Sequence, residues 1–278
     1  MHNSKFKIVL VLILANLALG AIFLFFIPAF RGNITPNPVI NLGVISIRWY
    51  GLILALAILL AYLVARRNSW RFGIDKSEVD ELAFWLILVG LISARIYYVI
   101  FDWPFFAKHP SEIYKIWHGG LSIFGALLGG VAFIWFFSRK KAYSKLQLLD
   151  LVALALPLGQ ALGRFGNFFN QEAYGYATDL PWRMHVSSTK QYHHPVFLYE
   201  AIASILIFFL LNKLAGRLKN GSLGLLYLIL YSLSRFFIEP LRVDSVFIQG
   251  FRADQVVAFM VIVFASVMLF RINRAVEK

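Results

Sequence analysis

The stretch Leu82-Ala-Phe-Trp-Leu-Ile-Leu-Val-Gly-Leu-Ile-Ser-Ala-Arg-Ile-Tyr-Tyr-Val-Ile-Phe101 decides the fold class. It holds one charged residue, Arg95, in a run about as long as the ~20 residues that carry a helix across a hydrocarbon layer of ~30 Å. Similar runs lie on either side, at Ile8–Phe30, Trp49–Ala65, Gly119–Phe137, Leu146–Gly163, Val196–Leu214, Leu223–Ile238 and Ala253–Phe270. The run at Leu146–Gly163 is the weakest, because it contains Gln147, Asp150, Pro157 and Gln160. The whole chain of 278 residues is 60% hydrophobic, against roughly 45–50% in soluble domains. The expected fold is therefore all-α: a polytopic membrane protein of about eight transmembrane helices with small extracytoplasmic loops and no separate soluble domain.

A formal charge of +13 raises the question of nucleic acid, and the position of the cations answers it. Lys5, Lys7, Arg66, Arg67, Arg71, Lys76, Arg139, Lys140, Lys141, Lys145, Lys213, Arg217, Lys219, Arg271, Arg274 and Lys278 fall in alternate connections. They follow loops instead of one groove, as the positive-inside rule requires. That rule puts both termini in the cytoplasm and implies eight crossings. Lys5 and Lys7 before an apolar run resemble a signal-peptide start, but the run continues through Ile27, so an uncleaved helix is expected. Cysteine is absent, so any thiol in the chemistry must come from a partner.

Polar groups inside a bilayer are costly, and their placement is informative. In this orientation Arg48, Tyr50, Arg95, His118, Arg164, Tyr199, Glu200, Arg235, Glu239 and Arg242 gather at the outer ends of the runs, with Asp150 the exception near an inner end. Tyr231, Arg235, Glu239 and Arg242 fall on one helical face. Arg235 and Glu239 alone could neutralise each other. Yet Arg48, Arg95, Arg164, Arg235 and Arg242 outnumber Glu172, Glu200 and Glu239, so a net-positive pocket for an anion is expected. Arginine suits phosphate because its planar fork donates two parallel hydrogen bonds, and in a membrane the obvious phosphate is a lipid headgroup.

After the fifth run comes a segment rich in turn formers and amides, Gly163-Arg164-Phe165-Gly166-Asn167-Phe168-Phe169-Asn170-Gln171-Glu172-Ala173-Tyr174-Gly175, read as the start of an extracytoplasmic loop covering about residues 166–195. By composition alone it is also compatible with an ordinary capped helix end. Its core resembles the signature of the prolipoprotein diacylglyceryl transferases, Gly-Arg-x-Gly-Asn-Phe-x-Asn-x-Glu. Further matches follow in order. They are Arg48-Trp49-Tyr50-Gly51, Ala94-Arg95, Trp117-His118-Gly119-Gly120-Leu121-Ser122, His194-Pro195 with Leu198-Tyr199-Glu200, and Tyr231 through Arg235 to Glu239, Arg242 and Asp244. The resemblance covers residues 46–278, a seven-helix core, and leaves residues 1–45 as an extra helix and linker.

The resemblance implies a bacterial plasma (inner) membrane enzyme that transfers the diacylglyceryl group of phosphatidylglycerol to the lipobox cysteine of a prolipoprotein signal peptide. A thioether forms and glycerol phosphate leaves, with no cofactor, no metal and no nucleic acid. For that chemistry Arg164 and Arg235 are expected to hold the phosphate and stabilise the departing charge, and Tyr50, Asn167, Asn170 and Glu172 to orient the glycerol headgroup. Glu239 and Arg242 would fix Arg235, while Arg95, Gly175, His194, Tyr199 and Tyr231 complete the substrate contacts. The thiol's base is open among His118, His194 and Glu172, because Phe124 stands where the family commonly has His. Phe197 likewise stands where the family usually has Gln. Two other readings share the arginines: an anionic-lipid transporter, and a catalytically inactive lipid- or lipoprotein-binding relative. The pairs Gly125/Gly129 and Gly159/Gly163 are expected to let helices pack closely.

Overall fold

The computed structural model describes residue 20 and residues 22–43, 45–141 and 143–274. Among them are seven helices long and apolar enough to cross a membrane. These are α1 (Trp49–Asn68), α2 (Lys76–Phe101), α3 (Ile123–Lys140), α4 (Lys145–Asn170), α5 (Val196–Leu214), α6 (Ser222–Ile238) and α7 (Ala253–Arg274). Most of the expected first run, Ile8–Phe30, lies outside the described residues. Its described end is a π-helical turn, Ile22–Phe26, followed by one α-helical turn, Ile27–Phe30.

The connections are not purely helical, which amends the all-α expectation. Among the described residues there are three antiparallel strand pairs: β1 (Val39–Leu42) with β2 (Ile45–Arg48), β3 (Met184–Val186) with β4 (Gln191–His193), and β5 (Phe247–Ile248) with β6 (Phe251–Arg252). In the last, Gln249 and Gly250 both have positive φ, +50° and +83°. That is the backbone a two-residue turn needs to match the strand twist.

The coordinates divide into two compact units. The second, residues 58–158, 207–230 and 263–278, contains α2 and α3 whole. These pack through glycine, as expected for Gly125/Gly129. A Cβ on Gly125 would stand 2.5 Å from Tyr97 Cβ and 2.9 Å from Ala94 Cα, and one on Gly129 would overlap Ser93. Close packing does not extend to Gly163, where a Cβ would meet no atom within 4 Å. Asp150 also finds its reason in this unit. Its carboxylate accepts the backbone N–H groups of Gly221 (2.6 Å) and Gly224 (2.7 Å) at the start of α6. It is a helix cap supplied from another helix, satisfying donors that the first turn leaves orphaned.

The first unit, residues 1–57, 159–206 and 231–262, is built around an aromatic cluster. Phe168, Phe197, Met184, Val186 and Ala29 are buried, with Phe26, Phe30 and Phe165 packed against them. Phe168 lies 5.4 Å from Phe197 and 5.0 Å from Phe26 between ring centroids. Each buried Phe contributes roughly 1.5–3 kcal/mol, and well-oriented ring pairs add about 0.5–1.5 kcal/mol. Together these contacts fix the ends of α4 and α5 and so position the polar side chains beside them.

α4 runs through Asn170. Residues 163–170, expected at the start of a loop, are therefore helical, and Arg164 and Asn167 sit one turn apart. The polar residues of this run are tolerated because 44% of its membrane-spanning window is buried within the protein, against 11% for α7. The helix stops where Gln171 adopts a left-handed backbone, φ +50°, the usual geometry of a helix C-terminal cap.

Candidate active site

Within the first unit, three arginines converge on one carboxylate. Glu200, in the first turns of α5, has its side chain only 5% exposed. Its Oε1 accepts from Arg235 of α6 and, at 3.3 Å, from Arg242. Its Oε2 lies 3.1 Å from Arg164 Nε, but off the line a hydrogen bond requires. Arg235 also reaches Glu239 (2.7 Å) and Asp254. Arg242 forms a two-pronged pair with Asp244, at 2.9 and 2.6 Å. Burial pulls the Arg242 guanidinium down, but the Asp244 hydrogen bond and the Glu200 charge outweigh it and raise it above its ordinary value. Ser245 donates to Glu239 Oε1 at 2.7 Å and receives Arg252.

This corrects the expected positive surplus. The count of five cations against three carboxylates omits Asp244 and Asp254. Arg164, Arg235 and Arg242 here face Glu200, Glu239, Asp244 and Asp254, so the cluster is close to neutral. Arg164 is the most exposed of the three arginines. Among the described residues its guanidinium, with five N–H groups, makes a long 3.5 Å hydrogen bond to Tyr231 Oη beside the 3.1 Å Nε ion pair with Glu200, and its side chain is 24% exposed. Arg235, by contrast, is held by three carboxylates and only 15% exposed.

The amides expected beside Arg164 are drawn together by Glu172, whose Oε1 accepts from Asn167 (2.9 Å) and Asn170 (3.1 Å). Gly166 is forced by Tyr50, since a Cβ there would stand 2.6 Å from the ring. Gly175 is forced by the backbone, since a Cβ would stand 2.6 Å from the Leu241 carbonyl and 2.7 Å from His194 Cβ. Its N–H donates to the His194 carbonyl at 3.0 Å. Trp182 Nε1 donates to Tyr199 Oη at 2.8 Å, and His194 Nδ1 lies 3.2 Å from the same oxygen. Tyr50, Asn167, Asn170, Glu172, Gly175, His194, Tyr199, Tyr231, Glu239 and Arg242 thus all belong to the unit that carries Arg164 and Arg235.

Arg95 and His118 belong to the second unit. Arg95, expected as a substrate contact, is placed as the organiser of a loop. All five of its N–H groups are committed to backbone carbonyls: Ile113 (2.9 Å), Gly119 (2.6 Å), Gly120 (2.8 Å), Glu112 (2.5 Å) and Lys115 (3.5 Å). His118 Nδ1 lies 2.6 Å from Glu112 Oε2, with the His side chain 53% exposed. Phe124 is exposed, its ring 6.4 Å from Tyr97.

Asp254, Ser245, Arg252 and Trp182 are site neighbours that sequence reasoning missed. Asp254 offered a signal: it is the acidic residue in the first turn of α7, at the same end of its run as Arg235.

Among the described residues, seven helices long and apolar enough to cross a membrane and a largely buried arginine–carboxylate cluster are the features of a multi-pass membrane protein. The model of the prolipoprotein diacylglyceryl transferase family matches residues 37–271, and the chain belongs to that family. Curated phosphatidylglycerol–prolipoprotein diacylglyceryl transferases are similar over most of their length. One from Fervidobacterium nodosum is 44% identical over 274 residues, 94% of each chain. One from Thermosynechococcus vestitus is 40% identical over 249 residues, covering 86% of this chain and 93% of its own. One from Staphylococcus aureus is 41% identical over 243 residues, covering 83% and 87%.

Proposed function

We infer that this chain is a phosphatidylglycerol–prolipoprotein diacylglyceryl transferase. The thiol sulfur of the lipobox cysteine attacks the glyceryl carbon that bears the phosphate ester. The S–C bond forms as the C–O bond breaks, the electron pair leaves with glycerol phosphate, and the thiol proton passes to a base. The observation that carries the reading is the Arg164 guanidinium, which meets Glu200 through Nε alone and, among the described residues, keeps its terminal N–H groups off every carboxylate. Negative charge grows on the departing phosphate, and a preorganised guanidinium there lowers the barrier; losing one such donor typically costs a factor of about 10²–10³.

Arg164 is the phosphate contact in this account. Arg235, held by Glu200, Glu239 and Asp254, sets the field around it and fixes Glu200, with Arg242 as its brace. Asn167, Asn170 and Tyr50 orient the glycerol headgroup, and Glu172 holds the two amides. Of the three candidates for the thiol proton, His194 and Glu172 stand in the unit that carries Arg164. Arg95 supports the reaction only through the loop it ties together.

The cluster faces the extracytoplasmic side of the inner (plasma) membrane, as the distribution of Lys and Arg between loops favours. Both termini are then cytoplasmic, with Ile8–Phe30 as an eighth crossing in residues 1–45 ahead of the core at 46–278. The test is direct. Purified protein, phosphatidylglycerol and a lipobox peptide should give a thioether product by mass spectrometry with the Cys peptide and none with its Ser version. No product with the Cys peptide would remove the reading.

A further inference from the structure

The first unit holds a cleft of about 520 Å³ that the transfer chemistry does not use, a size typical of small-molecule sites, which run roughly 300–1,000 Å³. One wall comes from Phe26, Phe30 and Arg31, ahead of the family match, which begins at residue 37. The other comes from Trp182, Arg183 and Phe197. Phe197 is buried, and its ring stands 6.2 Å from Phe30, so the aromatic at the position where the family usually has Gln meets the segment that precedes the stretch matched by the family model.

This wall is fastened in place. Tyr192 Oη donates to the Arg31 carbonyl at 2.9 Å, and Thr35 and Ser187 join hydroxyls at 3.3 Å. Gly32 has φ +76°, and a Cβ there would stand 2.8 Å from the His185 ring.

The lining sets the buried ring of Phe197 and the half-buried rings of Phe26, Phe30 and Tyr192 beside an exposed Arg31 and a half-exposed Arg183, and includes no carboxylate. The Arg31 guanidinium has no hydrogen-bond or ion-pair partner among the described residues. Arg183 lies over Tyr192 at 4.6 Å and pairs at 3.0 Å with Asp179, whose side chain is fully exposed, an arrangement that holds the cation weakly. Trp and Tyr beside cations are what a membrane–water interface favours.

We propose that this cleft docks an anionic phospholipid distinct from the one being cleaved, with an acyl chain against Phe26, Phe30 and Phe197 and its phosphate at Arg31 and Arg183. The test is native mass spectrometry of the full-length protein in detergent, titrated with phosphatidylglycerol or phosphatidylethanolamine. Wild type should retain one more phosphatidylglycerol than the double variant Arg31→Gln/Arg183→Gln, whose affinity for that lipid should fall about ten-fold, some 1.4 kcal/mol. The charge-keeping pair Arg31→Lys/Arg183→Lys should retain it, and phosphatidylethanolamine should not substitute.

Loss in both pairs, loss in neither, or equal retention of phosphatidylethanolamine overturns the proposal. Neither arginine belongs to the Glu200 cluster, so both pairs should keep wild-type kcat, which also verifies folding. A wild type that binds the extra anionic lipid but makes no thioether would fail the transfer reading and leave the cleft standing.

Discussion

Arg164 Nε stands 3.1 Å from Oε2 of Glu200, a carboxylate whose other oxygen is already taken by Arg235 and Arg242. One buried anion thus holds three cations in place while leaving most of one guanidinium unfilled. Glu200→Ala would strand those cations, and breaking a buried pair costs roughly 3–5 kcal/mol. Glu200→Gln keeps the shape and removes the charge. We expect transfer to fall about 100-fold in the Gln variant, with a clear drop in melting temperature for Ala. Wild-type melting in Glu200→Ala would show that the cluster does not need its centre.

The arginines should separate by phenotype. Arg164→Lys keeps a charge but loses the fork, so kcat should drop by about 10²–10³ with little change in melting. Arg235→Lys disturbs contacts to three carboxylates and should lower both melting temperature and activity. Thermal shift and transfer assays on the same preparations read the contrast, and identical behaviour of the two variants would refute the division of roles.

Asp150 is a structural carboxylate. Asp150→Ala uncaps α6 and should destabilise the protein by about 0.5–2 kcal/mol, the usual value of an N-cap. Transfer by the surviving folded protein should stay at wild-type kcat. A selective loss of kcat without a stability change would give Asp150 a role in the chemistry.

Glu112 sets an acid limit on the loop that Arg95 gathers. Hydrogen bonds from Lys115 and then His118 hold its carboxyl below the usual value. A depressed carboxylate contributes stability above the unfolded value, about 4.3, and loses it as pH falls through the lower folded value. Limited pepsin digestion should therefore cut near residues 110–120 more readily as pH drops below about 4, and Glu112→Gln should flatten that dependence.

Much of this was legible in the sequence, for identifiable reasons. Lipid imposes length and apolarity on any crossing, so the bounds of Val196–Leu214 are the same in sequence and structure. The pairing of Tyr231 with Arg235 on one face of α6 follows from 3.6-residue periodicity, whereas Glu239 stands in the 3-10 turn that follows α6 and Arg242 is extended beyond it. Residues 163–170 read as a loop because glycine and asparagine favour turns in water; inside the bundle, packing outweighs that preference and the helix continues past Gly166 onto Tyr50. The charge balance was misjudged because Asp254 is distant in sequence and reaches Arg235 only through the tertiary fold. The loop-tying contacts of Arg95 are not legible in the sequence, because backbone carbonyls leave no trace in residue type.

The central claim is that the unfilled guanidinium of Arg164 carries the leaving phosphate. The most direct measurement is the single-turnover rate of thioether formation on a Cys lipobox peptide, wild type against Arg164→Ala, at saturating phosphatidylglycerol. The account predicts a fall of at least about 100-fold with melting temperature preserved. A well-folded Arg164→Ala enzyme that forms product at the wild-type rate would contradict it.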